Sequence, residues 1–233
     1  MSETKTQPIT LALEISRPSG SIAMSNQNSV VSARGVASNQ RDEDDIVPTI
    51  DALAKELLVP PTAIELVVVS IGPGGFTGLR TAASIAKMIS LATSAKIISV
   101  ESAVVAVCSA GLDLGSYLVV SGVKQDSFWL SCVTHTNCGC VCEANLATKD
   151  TFATMLQNTS GVFLDSFAPT NLLQMCEECG AVVHTPKPEA KTLLRLGHSL
   201  YFQDGFIHPA DLLPLYPREP EAVRIWNKKT NST

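Results

Sequence analysis

Leu66-Val67-Val68-Val69-Ser70-Ile71-Gly72-Pro73-Gly74-Gly75-Phe76-Thr77-Gly78-Leu79-Arg80 is the stretch on which the fold turns. A run of β-branched and apolar residues breaks at Gly-Pro-Gly-Gly, then resumes as Ala, Ile, Lys, Met and Leu up to Thr93. That pattern predicts a buried strand over 66–71, a tight turn and a helix over 77–93. Such a turn sets a helix N-terminus, with its unpaired N–H groups and positive dipole end, at the carboxyl edge of a sheet, where anions can bind. The phosphate-binding spacings are absent. Thr77 stands five places after Gly72 and Leu79 five after Gly74, with no Lys following, and Thr77 occupies the place where a dinucleotide fingerprint needs Gly or Ala. Gly72, Pro73, Gly74, Gly75 and Thr77 therefore read as a structural loop, whose glycines permit a sharp reversal and close packing of helix on strand.

Working outward, Ile9 to Ile15 reads as a first strand, Pro18-Ser19-Gly20 as a turn, and Ser21–Met24 and Val30–Arg34 as two returning strands. After a polar loop at Ser38–Asp45, Asp44 or Asp45 is placed to cap a helix whose apolar residues Ile46, Ile50, Leu53, Ala54 and Leu57 recur at helical spacing. Pro60-Pro61 stops it. A strand at Ile97–Val100 follows the 77–93 helix. The resulting order, β-β-β-α-β-α-β, is that of one half of an actin/Hsp70/sugar-kinase-like (RNase H-like) α/β fold. Downstream, the pattern gives helices at 102–110, 151–156, 170–179 and 190–203, and strands at 116–121, 128–135, 140–144, 161–164 and 182–183. No clean sequence repeat is detectable; the family resemblance given below implies two related subdomains with mixed sheets flanked by helices, residues 1–101 and a degenerate second copy at 102–209, with a C-terminal segment at 210–233.

Composition sets limits. Hydrophobic residues make up 45% and charged residues 17%, which supports a substantial core and excludes a disordered chain. A net charge of −5 offers no basic face for gripping a nucleic-acid backbone directly. Arg218, Arg224, Lys228 and Lys229 read as a solvated tail. No stretch is long and apolar enough to cross a membrane, and Met1–Thr10 lacks the apolar core of a signal peptide. A cytoplasmic protein with seven reduced cysteines is expected.

Gly-Pro-Gly-Gly-Phe-Thr-Gly-Leu-Arg, followed by its alanine-rich helix, resembles the Gly-x-Gly-Pro-Gly-Ser-Phe-Thr-Gly-Leu-Arg signature of the TsaB (YeaZ) family. Gly75 stands where that family has Ser, and Ser70 where it has Gly. A second match lies far downstream. Leu213-Pro214-Leu215-Tyr216-Pro217-Arg218-Glu219-Pro220-Glu221-Ala222-Val223 is similar to the family's Pro-x-Tyr-x-Arg-x-Pro-x-Ala ending. The resemblance implies the actin-like fold and an accessory role in making threonylcarbamoyladenosine on tRNA.

The resemblance also frames what is missing. Where the family reads Asp-Thr-Ser in the first hairpin, this chain has Glu14-Ile15-Ser16, and Ser121 stands where relatives carry the second acidic residue. One longer carboxylate in place of two does not make a nucleotide site. The catalytic relative in the pathway holds a metal through His-x-x-x-His, whereas His135, His184, His198 and His208 include no pair four apart. No catalytic residue, metal or cofactor is expected. Two readings stand for the cysteines. Cys132, Cys138, Cys140, Cys142, Cys176 and Cys179 could supply thiolates to zinc; against this, Cys138, Cys140 and Cys142 are strung too far along one strand face to chelate together, and Cys176 and Cys179 suit a helix core.

By resemblance, the expected partner surface is the pair of helices in the first half, through Ile46, Ile50, Leu53, Leu57, Gly78, Arg80, Ala82, Ile85, Ala86 and Ile89. The expected partners are a TsaD-type catalytic subunit and a TsaE-type ATPase, with a homodimer when alone and tRNA met only through the complex. The product is threonylcarbamoylated adenosine 37 in tRNAs reading ANN codons. The alternatives are a divergent actin-like ATPase or peptidase homologue using Glu14, or an orphan homodimeric scaffold.

Overall fold

The computed structural model describes residues 7–37, 45–124, 127–137, 139–165 and 168–217. Arg218, Arg224, Lys228, Lys229, Asp44, Cys138, most of the 38–45 loop and the end of the downstream motif lie outside them.

The first half begins with β1 (Thr10–Glu14), β2 (Ser19–Ser25) and β3 (Val31–Ala37), an antiparallel meander. Helix α1 (Ile46–Glu56), β4 (Leu66–Ser70), α2 (Phe76–Thr93) and β5 (Lys96–Val100) follow. The sheet order is β3-β2-β1-β4-β5, with β4 parallel to both β1 and β5. The second half repeats this plan. After α3 (Ser102–Ser109) come β6 (Gly115–Lys124), β7 (Ser127–Thr136) and β8 (Gly139–Ala147), again an antiparallel meander. Then α4 (Lys149–Leu156), β9 (Gly161–Phe163), α5 (Thr170–Glu178), β10 (Val183–His184) and α6 (Ala190–Tyr201) complete the described chain, apart from short 3-10 turns at Pro61–Ala63 and Pro209–Asp211. The second sheet has order β8-β7-β6-β9-β10, the same plan as the first. This is the actin/Hsp70/sugar-kinase-like α/β fold, with two related mixed sheets flanked by helices.

Alternation along β1 and β4 explains the layers. Leu11, Leu13, Val67 and Val69 point to one face, where α1 and α2 cover them. Ala12, Leu66 and Val68 point to the other, into a core shared with α3, α6 and Val119, Val133 and Phe163 of the second sheet. The far face of the second sheet packs on α4 and α5 through Leu118, Leu130, Phe152 and Leu172. The two middle helices are exchanged. Helix α3 follows the first sheet in sequence yet packs on β7 and β8, while α6 packs back on β1, β2 and β5. Gly197 makes that return possible: a Cβ there would lie 2.2 Å from Val68 Cγ2.

Two local expectations are corrected. Asp45 is the N-cap residue of α1, but its side chain makes no capping hydrogen bond. The 18–20 turn is tighter than its Pro-Ser-Gly composition suggests, because Ser19 and Gly20 already pair with Ala37 and Val36 as part of β2.

Helix α6 also buries a histidine. The Thr10 hydroxyl donates to the Pro8 carbonyl (2.9 Å), so its oxygen accepts from His198 Nε2–H at 2.9 Å. Burial holds the His198 pKa below its ordinary 6.5. The unfolded chain therefore binds the extra proton first on acidification, so this contribution is full above pH 6.5 and is lost as pH falls from there towards the folded value. Urea midpoints should drop between pH 7.5 and pH 5.5, and His198→Gln should flatten that dependence.

Candidate functional site

The glycine corner is built by close approach. The Gly72–Pro73 peptide is cis, and Gly72 has φ +106°, in the region that favours glycine. A Cβ on Gly74 would sit 2.3 Å from the Ser16 carbonyl oxygen, and one on Gly78 would sit 2.1 Å from that of Ile15. The Gly75 N–H donates to Ser16 O at 2.7 Å. The end of β1 thus lies against the start of α2, with main-chain carbonyl oxygens where an anion would approach the helix N-terminus. The corner has taken its negative partner from its own chain.

Two other segments stitch to it. Ser102 N–H donates to Gly72 O (2.8 Å), tying the corner to the start of α3, and the Ser70 and Ser102 hydroxyls are 2.6 Å apart. Leu215 N–H donates to Ile71 O at 2.7 Å. Tyr216 then stacks on Phe76, with ring centroids 5.1 Å apart. The Arg80 guanidinium lies 3.6 Å from the Phe76 ring centroid, and its Nε donates to Tyr216 Oη at 3.0 Å. The two matched segments, 136 positions apart between Arg80 and Tyr216, are therefore two sides of one contact.

Glu14 is 1% exposed. Its Oε1 accepts from both the backbone N–H and the hydroxyl of Ser16, while Oε2 has no hydrogen-bond partner. Burial pushes its pKa up, against the pull of the Ser16 and Ser70 hydroxyls. Ser121 sits on β6 opposite Trp129, the counterpart of Glu14 opposite Ser21.

The expected partner surface divides. Ile46, Leu53, Leu57, Ala82 and Ala86 are buried against the first sheet, and Gly78 is closed by Ile15, so these six belong to the chain's own core. Ile50, Ile85 and Ile89 are half-buried at the edge of that core. Arg80 is exposed but engaged by Phe76 and Tyr216. Apolar periodicity marks the inward stripe; the outward face of α2 carries Met88, 69% exposed, and Leu91, 89% exposed, and Val47 is exposed on α1.

The cysteines also regroup. Cys176 is buried in α5 beneath the far face of the second sheet, and Cys132 points to that same side. Cys140 and Cys142 point instead towards α3. Cys142 Sγ donates to Glu101 Oε2 (3.2 Å), and burial, with Glu101 alongside, pushes its pKa up to about 12. The Cys108 and Cys140 sulphurs stand 2.9 Å apart, a contact that pushes the Cys108 thiol pKa up and the Cys140 thiol pKa down. His135 joins this pair and Cys138 lies outside the described residues. The thiols brought together are thus not the set that spacing along the sequence offered.

Residues 21–188 match the family model for TsaD, tRNA N6-adenosine threonylcarbamoyltransferase. The chain belongs to the TsaD family. The fold expected from the two motifs is shared with solved YeaZ structures. A Pseudomonas aeruginosa protein described as similar to the peptidase YeaZ superposes with TM-score 0.73 at 16% identity, covering 91% of this chain and 100% of that one. YeaZ from Pseudomonas aeruginosa superposes with TM-score 0.70 at 15% identity, covering 90% and 99%. No curated protein gives a significant match. Within the TsaD family match fall the glycine corner, α1, α2 and the whole of the second meander.

Two outcomes check this corner. Gly78→Ala forces a Cβ into a main-chain carbonyl and should destabilise the fold by about 2–3 kcal/mol, measured by urea unfolding. Glu14 gives the opposite sign. Because its folded pKa is raised, its contribution is present below pH 4.5 and is lost as pH rises towards the folded value. Glu14→Gln should therefore raise the thermal midpoint more at pH 8 than at pH 4.5.

Proposed function

We propose that this chain is a non-catalytic accessory subunit of the TsaB (YeaZ) kind. In this reading it binds and stabilises a TsaD-type catalytic subunit for threonylcarbamoylation of adenosine 37 in tRNAs reading ANN codons. A TsaE-type ATPase joins the complex, tRNA is met only there, the free chain is a homodimer, and the setting is cytoplasmic. Among the described residues, no helix is long and apolar enough to cross a membrane.

The observation that carries this reading is the state of the site where an actin-like enzyme keeps its nucleotide machinery. Glu14 is buried and folded back onto Ser16, Ser121 replaces the second carboxylate, and the helix N-terminus beside them faces main-chain carbonyls. None of these groups is free to hold a metal-bound phosphate. The same helix carries Met88 and Leu91 outward, large apolar side chains that the chain's own core leaves uncovered. A partner helix laid along this face would cover them, in an interface of about 800 Å² per side if of ordinary size.

Mixing the purified chain with the TsaD-type subunit of the same organism, followed by size-exclusion chromatography with light scattering, should give a stoichiometric complex. Met88→Glu with Leu91→Glu, both exposed and so tolerated by the fold, should weaken that complex at least about 100-fold, as losing central apolar contacts does. A complex unaffected by the double variant would move the interface elsewhere; no complex with the wild-type chain would remove the accessory role. ATP turnover by the isolated chain, abolished in Glu14→Ala, would favour the enzymatic reading instead.

A further inference from the structure

Helix α3 ends at the tip of the β7–β8 hairpin. His135 on β7 and Cys140 on β8 are directly opposed in register, so their side chains stand on one face of the sheet. That face looks towards α3, whose last turn carries Cys108. The two sulphurs and one imidazole nitrogen all lie within 4.8 Å of one another. All three residues are half-buried.

Two features separate this cluster from a casual meeting of core thiols. Nδ1 of His135 is buried and has no hydrogen-bond partner among the described residues. An imidazole edge withdrawn from water with nothing to bond is costly unless a ligand completes it. The sulphurs, at 2.9 Å, are also closer than two neutral thiols comfortably rest. A cation between them would part them, since donors around a tetrahedral zinc stand about 3.4–3.8 Å from one another given bond lengths of about 2.0–2.3 Å. The required shift is small and falls on β8, which lies at the edge of its sheet.

We propose that Cys108, His135 and Cys140 form a binding site for a zinc-type divalent cation. Two thiolates and an imidazole are a soft donor set, suited to zinc and unsuited to magnesium or calcium. Binding releases up to two thiol protons to solvent and leaves the cation neutralised by two sulphurs. Three protein ligands leave the fourth position for water, and Cys140 lines a groove of about 540 Å³ with Thr136, Gly139 and Leu200. Cys142 stays outside the set because its thiol is turned to Glu101. The site lies on α3, β7 and β8, away from α1 and α2, and stands or falls independently of the accessory-subunit reading.

Cobalt(II) titration of the fully reduced, metal-free chain under anaerobic conditions tests this. One equivalent should produce sulphur-to-cobalt charge transfer and the strong visible bands of tetrahedral coordination, and zinc should bleach them. Cys108→Ser and His135→Ala should each weaken binding at least about 10-fold. Cys179→Ser, which alters an exposed cysteine just past the end of α5, should leave it unchanged. Circular dichroism of each variant separates lost ligands from lost fold, and His135→Asn offers a milder second variant. Absence of the bands in the reduced wild-type chain, or equal affinity in folded Cys108→Ser and His135→Asn, would overturn the site. An air-oxidised chain lighter by two hydrogens at Cys108 and Cys140, with no metal bound once reduced, would assign the pair to a disulfide instead.

Discussion

The rest of the first half depends on one steric constraint, the contact between the end of β1 and the start of α2. Main-chain oxygens of Ile15 and Ser16 occupy the space that a side chain at Gly78 or Gly74 would need. That contact fixes the angle at which α2 leaves the sheet, and with it which side chains face inward. Ala82 and Ala86 go to the core, and Met88 and Leu91 go to solvent. The same corner receives the start of α3 through Gly72 and the chain's closing segment through Ile71. Four segments remote in sequence are thereby referred to one point, and the helix whose outer face is proposed to meet a partner is among the most firmly anchored.

Much of this was legible in the sequence because apolar periodicity reports burial directly. The Leu66–Ser70 strand is buried on both faces and reads as a short apolar run with three consecutive valines, while alternation survives on the outer strands, as in β8. The same reason limits what periodicity says about a partner surface. Ile46, Leu53 and Leu57 stand out because the chain itself buries them, and an exposed Met88 or Leu91 carries no periodic mark to set it apart. The cysteine cluster was hidden by a different cause. His135 and Cys140 could be paired from the short hairpin between them, but Cys108 arrives from a helix 32 residues earlier, and only the packing of α3 on β7 and β8 brings it there.

The duplicated sheets show what a shared plan preserves and what it releases. Both keep the three-strand meander followed by two parallel strands, since that order sets the hydrogen-bonded core. The positions at the ends of the first strands have drifted apart. Glu14 has been drawn into a closed local network with Ser16, at the cost of an unbonded Oε2, while Ser121 is followed by Gly122 at φ +57°, against Pro217. A buried carboxyl held towards its neutral form is poorly suited to fixing a cation, because neutralisation removes the charge the cation would need.

The exchanged helices bear on what such a molecule can do. A two-lobed enzyme that opens and closes on its substrate needs an interface between lobes that slides or hinges. Here α3 leaves the first sheet to cover the second, and α6 returns from the second half to cover the first, with Gly197 in near-contact with Val68. One core, running from Ala12 and Val68 through Leu193 to Val119 and Phe163, spans both sheets. Parting the halves would expose that core and unseat both helices together, and each large apolar side chain so exposed costs about 1.5–3 kcal/mol. A scaffold pinned in this way presents a constant outer surface, which suits recognition by a partner better than a cycle of opening and closing.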